Sequence, residues 1–212
     1  MLARPGAAGG IEILMVRRSA RSAFAPDAFV FPGGTVDAQD YRPTLAWNDA
    51  RIAAEFRATF SSALPSSEDA VQNDAARALV NAAVRELREE ADIAIPAGDL
   101  HLFSHWITPP TEPRRYNTHF FIAQATGAHI GVADSVETHD ARWIAPARAL
   151  ALHRAEQMHL VYPTIKHLER LRAFAAIDEL MRFTRSKPIV TIMPGAAPHE
   201  GFVMPPSLEG AW

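Results

Sequence analysis

The chain contains no cysteine, which excludes disulfide bonds, zinc–thiolate sites and cysteine nucleophiles together. It also lacks an apolar run long enough to cross a bilayer, and its first residues do not have the pattern of a secretory signal. Charge is nearly balanced, with a formal net charge of −3, and the lysines and arginines are scattered rather than grouped. These absences speak against nucleic-acid and membrane partners and predict a cytoplasmic protein.

What is present is an ordinary apolar content in 212 residues, enough for one domain over 1–212 with elaborations. Local composition predicts strands at 11–17, 100–107, 118–125, 141–144 and 188–193, and helices at 49–60, 66–91, 146–153 and 162–185. Strand residues at 1–4 form only a very short first strand. Either the natural start lies upstream, or this is a short edge strand. The irregular alternation of helices and strands favours an α/β or α+β sandwich.

Three glutamates lie in the second predicted helix, with Glu89 and Glu90 three and four positions after Glu86. Positions three and four apart are within about 60° of each other around an α-helix, so Glu89 and Glu90 each lie near Glu86 and the three carboxylates converge. Like charges at this spacing repel by roughly 0.2–0.5 kcal/mol per pair, so the cluster gives the fold no benefit by itself. The helix also carries a small apolar stripe, formed by Ala82, Ala83, Leu87 and Ile93. This stripe predicts a packed helix rather than a solvated one, with an acidic face that suits a hard divalent cation such as Mg²⁺.

A second feature lies about 50 residues earlier, where a short apolar run ends in Pro32-Gly33-Gly34. Glycine alone tolerates positive φ freely, so this sequence predicts a turn or a close approach of the backbone to another group.

The segment 85–93 resembles the helical half of the Nudix box, R-E-U-x-E-E-x-G-U with U aliphatic, and 31–37 resembles the loop half that precedes it. Nudix enzymes are Mg²⁺- or Mn²⁺-dependent hydrolases that cleave a diphosphate linking a nucleoside to another group. Their fold is a mixed sheet between helices. The resemblance therefore implies a Nudix-type α/β/α sandwich and a small nucleoside diphosphate derivative as the substrate.

The box departs from the common pattern in two ways. An ordinary box, G-x5-E-x7-R, has 13 residues between its glycine and its arginine, whereas positions 35–84 separate Gly34 from Arg85 here. Asp40 takes the place of the first box glutamate if counted from Gly34, and Arg77 takes it if counted back from Arg85. Asp92 replaces the box glycine, although aspartate tolerates the left-handed conformation better than most residues.

The interruption is similar to that of a Nudix subgroup, the acyl-CoA diphosphatases, which carry a long insertion at this place. It would lie at about 38–81 and be partly helical, and a C-terminal helix at about 162–185 would follow later. Further segments of subgroup resemblance are 14–19, 23–34, 114–121, 143–146 and 160–164. The resemblance implies hydrolysis of CoA or acyl-CoA to 3′,5′-ADP and a phosphopantetheine.

Carried over residue by residue, the resemblance makes Glu86, Glu89 and Glu90 the metal ligands. Glu90 or a later acid would help to deprotonate water, and Glu137 is the candidate for that additional acid. Arg85 would hold the glutamates through charge-assisted hydrogen bonds. The carbonyl of Gly34 would also bind the metal. Candidates for phosphate contacts are Arg17, Arg18, Arg114 and Arg115, each with an ordinary surface arginine as the alternative.

Two other functions stay open at this point. The same chemistry could act on ADP-ribose, a dinucleotide or a nucleotide sugar, because specificity in this fold lies in loops outside the box. A nucleotide sensor with the Nudix fold would bind without cleaving, although the complete glutamate set speaks against it. The sequence also leaves a homodimer open.

Overall fold

The computed structural model describes residues 1–22, 25–42, 56, 69–125, 138–197, 201–210 and 212. The strands in these ranges are β1 (Leu2–Pro5), β2 (Ile11–Arg18), β3 (Phe29–Val30), β4 (His101–Ile107), β5 (Asn117–Gln124), β6 (Thr138–Ile144), β7 (Thr191–Ile192), β8 (Gly195–Ala197) and β9 (Gly201–Val203). The α-helices are α1 (Asp69–Ala91), α2 (Pro146–Arg154), α3 (Tyr162–Leu171) and α4 (Ile177–Ser186). Short 3₁₀ turns lie at Ala38–Tyr41 and Ala97–Asp99.

Seven strands form one mixed sheet in the order β3-β2-β1-β5-β4-β7, with β6 paired to β2 as well. β1 is parallel to β5, and β4 is parallel to β7. β1 is short, but it lies inside the sheet, because Ala3 pairs with Ile13 of β2 while Leu2 pairs with Ala123 of β5. The alternative of a short edge strand at the start of the chain is therefore wrong.

The side chains of β2 alternate between two separate hydrophobic cores. Ile13 and Met15 belong to one core, and Leu14 and Val16 belong to the other. All four are fully buried, because successive strand residues point to opposite faces and helices cover both faces of this sheet. This explains why β2 has a continuous apolar run rather than an alternating pattern.

Helix α1 covers one face of the sheet and α2–α4 cover the other. The core under α1 includes Val80, Leu87 and Ala91, and the opposite core includes residues of all three C-terminal helices. Alanine, arginine and glutamate are strong helix formers and dominate α1, so local preference and packing agree there. The predicted α/β/α sandwich with a mixed sheet is confirmed.

Two sequence predictions need correction, and two others lie largely outside the described residues. The single helix expected at 162–185 is two helices, because the chain breaks after Leu171 and restarts at Ile177, where the Glu179 carboxylate accepts the Ala175 N–H at 3.1 Å. The last strand of the sheet is shorter than expected, covering only β7. The helix predicted at 49–60 and the start of the helix predicted from 66 lie largely outside the described residues. No helix in the described part of the chain is long and apolar enough to span a membrane.

Candidate active site

The site is organised around Arg85, which projects from the third quarter of α1. Its Nη1 lies 2.9 Å from both Glu86 Oε1 and Glu89 Oε2. Its Nε and Nη2 lie 3.1 and 3.0 Å from the two carboxylate oxygens of Asp40, and Nη2 also donates to the Thr35 carbonyl at 2.9 Å. Hydrogen bonding to Asp40, followed by Glu86 and Glu89, raises the pKa of Arg85 against the opposing effect of burial. One guanidinium thus joins three carboxylates and the loop.

Asp40 is the partner of Arg85 from the loop half of the box. Burial alone would raise the pKa of Asp40, but the hydrogen bonds from Arg85 and from the Asp37 N–H lower it below its usual value. The Asp37 N–H donates to Asp40 Oδ2 at 2.8 Å, and Asp37 in turn caps the 3₁₀ turn. The buried carboxylate of Asp40 is therefore ionised and fixed in place.

The two candidates for the first glutamate position of the box have different partners. Counting from Gly34 leads to Asp40, which meets Arg85. Counting back from Arg85 leads to Arg77, which instead pairs with Asp74 within α1 at 2.9 Å. Asp40 is therefore the one of the two that contacts the helical half of the box.

Two glycines of the loop contact two glutamates of α1. The Gly33 N–H donates to Glu90 Oε2 at 2.8 Å. A Cβ at Gly34 would lie 2.2 Å from Glu86 Oε1 and 2.6 Å from Oε2, so no other residue fits without displacing that carboxylate. The predicted close approach at this turn is confirmed, and the two halves of the box meet in space.

The charge around Arg85 is strongly unbalanced. Asp40, Glu86 and Glu89 are hydrogen bonded to it and Asp37 lies 3.8 Å away, so these five side chains carry a formal charge of −3. Oxygen donors with excess negative charge fit Mg²⁺ or Mn²⁺. Among the described residues, no three acidic or histidine side chains are arranged to hold one ion. Glu86 and Glu89 are instead both directed at the same nitrogen of Arg85.

Asp92 ends α1 in the conformation that the box glycine would be expected to adopt. Its φ is 53°, in the left-handed region. Its N–H donates to the Arg88 carbonyl at 3.0 Å, and the next N–H, from Ile93, reaches the Leu87 carbonyl at 3.4 Å. The prediction that aspartate can make this turn is confirmed, and the helix ends with its last carbonyls bonded.

The predicted phosphate-binding arginines lie in two places, with Arg17 and Arg18 at the end of β2 and Arg114 and Arg115 in the loop before β5. Arg17 pairs with Asp27 at 2.9 Å, and Arg115 donates to the Thr108 carbonyl at 3.0 Å. Arg114 is exposed and Arg18 is half-buried. Their role toward a substrate stays a prediction. Glu137, the candidate for an additional acid, lies outside the described residues.

One residue of the site has no counterpart in the sequence predictions. Asn81 is buried one helical turn before Arg85, and its side chain donates to the Asp40 carbonyl at 2.7 Å. The available signal was its position, since residues four apart share one face of a helix. Its partner on the loop could not be inferred from the sequence.

Known proteins resemble this chain in a region of its sequence and in its fold. The sequence matches the NUDIX domain family over residues 73–164. A NUDIX hydrolase structure from Alicyclobacillus acidocaldarius has the same fold, with a TM-score of 0.63, 23% identity, and coverage of 85% of this chain and 92% of that one. Residues 73–164 are therefore similar to the NUDIX domain, and the chain has the Nudix fold.

The chain is also similar to acyl-coenzyme A diphosphatase NUDT19 of Xenopus laevis, with 22% identity over 241 aligned residues. The alignment covers 81% of this chain and 62% of the relative, so the chain spans less than two thirds of that protein's length.

Proposed function

We propose that the chain is a divalent-metal-dependent hydrolase that cleaves the diphosphate linkage of a nucleoside diphosphate derivative. The observation that carries the proposal is the meeting of Gly33 and Gly34 with Glu90 and Glu86, although 50 residues separate the two halves of the box. A fold alone does not require three glutamates close together on one helix beside a glycine turn. Binding of a cation and cleavage of a diphosphate would account for the glutamates and for the glycine turn beside them.

In this proposal Glu86, Glu89 and Glu90 hold Mg²⁺ or Mn²⁺, with the Gly34 carbonyl as a further oxygen ligand. The bound cation would neutralise diphosphate charge and make a water more nucleophilic. Glu90 is the candidate to accept the proton of that water, and it lies buried against the loop, where its Oε2 accepts the Gly33 N–H. The water oxygen forms a bond to one phosphorus, the P–O bond of the bridge breaks, and the departing phosphate keeps the electron pair.

Glu89 must turn away from Arg85 to join such a ligand set. Its side chain is 56% exposed, so its ion pair with Arg85 is solvated and contributes only about 0.3–0.5 kcal/mol. Arg85 keeps its bonds to Asp40 and Glu86 when Glu89 leaves. Arg85 therefore acts in this proposal as the residue that positions the glutamates, without contacting the substrate.

CoA or an acyl-CoA is the favoured substrate, giving 3′,5′-ADP and a phosphopantetheine. The support is the similarity to a protein named as an acyl-CoA diphosphatase, together with the long interruption of the box. The interruption lies outside the glutamate cluster, where specificity in this fold arises.

The test is a substrate panel with product masses. Purified protein with Mg²⁺ or Mn²⁺ is incubated with CoA, acetyl-CoA, ADP-ribose, NADH and diadenosine polyphosphates, with matched reactions in excess chelator. We expect metal-dependent release of 3′,5′-ADP from CoA and acetyl-CoA. Strong cleavage of ADP-ribose with no cleavage of CoA would overturn the proposed substrate. Binding of these compounds without cleavage of any of them would overturn the proposed hydrolase activity.

A further inference from the structure

Asn81 links the loop half of the box to α1 through its side-chain amide. Nδ2 donates to the Asp40 carbonyl at 2.7 Å and to the Arg42 carbonyl at 3.3 Å. Both partners are acceptors, so the amide nitrogen, and not the amide oxygen, must face them. The side chain is buried, which makes these bonds costly to lose.

Asp40 is consequently held at two points by one face of α1. Arg85 binds its carboxylate with two nitrogens, and Asn81 binds its main-chain carbonyl. The 3₁₀ turn that contains Asp40 begins four residues after Gly34. The position of this turn therefore sets where Gly34 lies against Glu86.

We propose that Asn81 is a positioning residue that joins the two halves of the interrupted box, an inference that rests on the proposed hydrolase function. In an uninterrupted box, chain continuity keeps the loop and the helix together. Here 50 residues separate Gly34 from Arg85, and a connection of that length does little to fix the distance between its ends. Buried hydrogen bonds from Asn81 replace that constraint, and they act on the glutamates only through Asp40 and Arg85.

The sharpest test is Asn81→Asp, which keeps the side-chain volume but directs an oxygen at two carbonyl oxygens. We expect kcat, and the affinity for Mg²⁺, to fall roughly tenfold to a hundredfold, the usual cost of losing a residue that orients metal ligands. KM for the substrate should change less than about threefold, because Asn81 binds the loop and not the substrate. Asn81→Ala, which removes the donors without adding a charge, should shift kcat in the same direction by a smaller factor.

Arg88→Gln provides the matched control. It changes the net charge by the same −1 on the same helix, at an exposed position. It should leave kcat and the Mg²⁺ dependence within about twofold of wild type, as expected for a surface change away from these contacts. Alanine is the better helix former, so Asn81→Ala preserves α1 if the Asp variant fails to fold.

A second readout uses metal-free protein and needs no turnover. The amides of Asp37, Asp40 and Arg42 are bonded at 2.8, 3.0 and 3.1 Å within the turn. Hydrogen exchange of a peptide covering 35–42 should accelerate roughly tenfold in Asn81→Asp, whereas a peptide from α2 should not change.

Unchanged exchange at 35–42 in Asn81→Asp would overturn the proposed clamp. Faster exchange with unaltered kcat and Mg²⁺ dependence would overturn the positioning role. If the wild-type protein cleaves no diphosphate, the proposed hydrolase function fails separately. Hydrogen exchange and Mn²⁺ binding, measured on the wild type and on Asn81→Asp, then test the positioning role without turnover. Equal Mn²⁺ affinity in the two proteins would overturn that role.

Discussion

Two buried polar networks lie on opposite faces of the sheet, and they differ in charge and in access to solvent. The first joins Arg85 to Asp40, Glu86 and Glu89 beside α1. The second is centred on His167 of α3, whose ring is fully buried among aromatic side chains. These are Phe31, Phe103, Trp106, Phe120 and Trp212.

In the His167 network each of the three N–H and O–H donors has an acceptor. The Pro163 carbonyl can only accept, so His167 Nδ1 donates to it at 2.6 Å. Nε2 must then accept, and the Ser104 hydroxyl donates to it at 2.7 Å, while the indole N–H of Trp106 donates to Ser104 Oγ at 3.2 Å. Burial lowers the pKa of His167 to about 3, so the ring is neutral near pH 7.

A network that only supports packing differs in charge and in access to solvent from a network suited to binding a ligand. The His167 network is neutral, closed and internally matched, so it specifies packing and has no capacity left for another group. The Arg85 network has three more negative charges than positive ones in its five side chains, and Glu89 opens it to water. Five predictions follow this contrast, from the largest expected effect to the smallest.

Replacing Glu89 or Glu90 with glutamine should abolish metal-dependent cleavage, with kcat/KM falling roughly 10²–10³-fold or more. The free energy of unfolding should change by less than about 1 kcal/mol, because glutamine preserves size and can still accept the Gly33 N–H. Steady-state kinetics and urea unfolding measure the two quantities. Glu156→Gln, an exposed acid after α2, is the control, and full turnover by both Glu89 and Glu90 variants would remove these residues from the site.

His167→Phe should show the reverse pattern. The ring volume is kept, but the Ser104 hydroxyl and Pro163 carbonyl lose their partner, which should cost about 2–3 kcal/mol of unfolding free energy. The kcat of the folded fraction should stay within about twofold of wild type, since the network lies across the sheet from α1. A large loss of kcat with unchanged stability would contradict the structural role assigned to His167.

Gly34→Ala tests the contact between the two halves of the box. Its Cβ would meet the Glu86 carboxylate at 2.2–2.6 Å, so kcat/KM should fall about tenfold to a hundredfold through displacement of that side chain. Gly98→Ala is the matched control, because its Cβ would meet no heavy atom within 4 Å. Equal activity in the two variants would show that Glu86 tolerates the displacement.

The free energy of unfolding should decrease as the pH is lowered, and part of that decrease should come from His167. Its pKa is about 3 in the native state and 6.5 in the unfolded chain, so between these values the unfolded state binds the extra proton. Stability from this group is complete above pH 6.5 and declines by about 1.4 kcal/mol per pH unit below it. When urea unfolding is measured from pH 7 to 4.5, the free energy of unfolding should depend less steeply on pH in His167→Phe than in the wild type. His119, whose burial lowers its pKa to about 3, should keep part of the slope.

The smallest effect is expected at Asp92. Alanine in the left-handed conformation should cost about 1 kcal/mol, whereas glycine or asparagine should stay within about 0.5 kcal/mol of wild type. The side chain is exposed, so packing should not obscure the result. Equal stability of Asp92→Ala and Asp92→Gly would mean that this backbone conformation carries no cost.

The glutamates, the glycine turn and the fold class were predictable because each depends on a local pattern. Spacing along α1 places Glu86 and Glu89 on one face regardless of what packs there, and aspartate at 92 is one of the few residues that tolerates a left-handed turn. Two other features differ from what the sequence suggested. A short edge strand was one of two alternatives for the start of the chain, although β1 pairs on both sides through contacts with distant strands. The helix predicted at 162–185 contains a break.

By itself, the sequence determined that Glu86, Glu89 and Glu90 would lie near one another on one helix and that a glycine turn would approach another group. It did so because helical periodicity and glycine conformations are properties of short segments. Only the tertiary structure decided that Asp40, and not Arg77, meets Arg85, and that Asn81 holds the turn in place. Those contacts join residues more than 40 positions apart, and only packing of the loop against α1 brings them together.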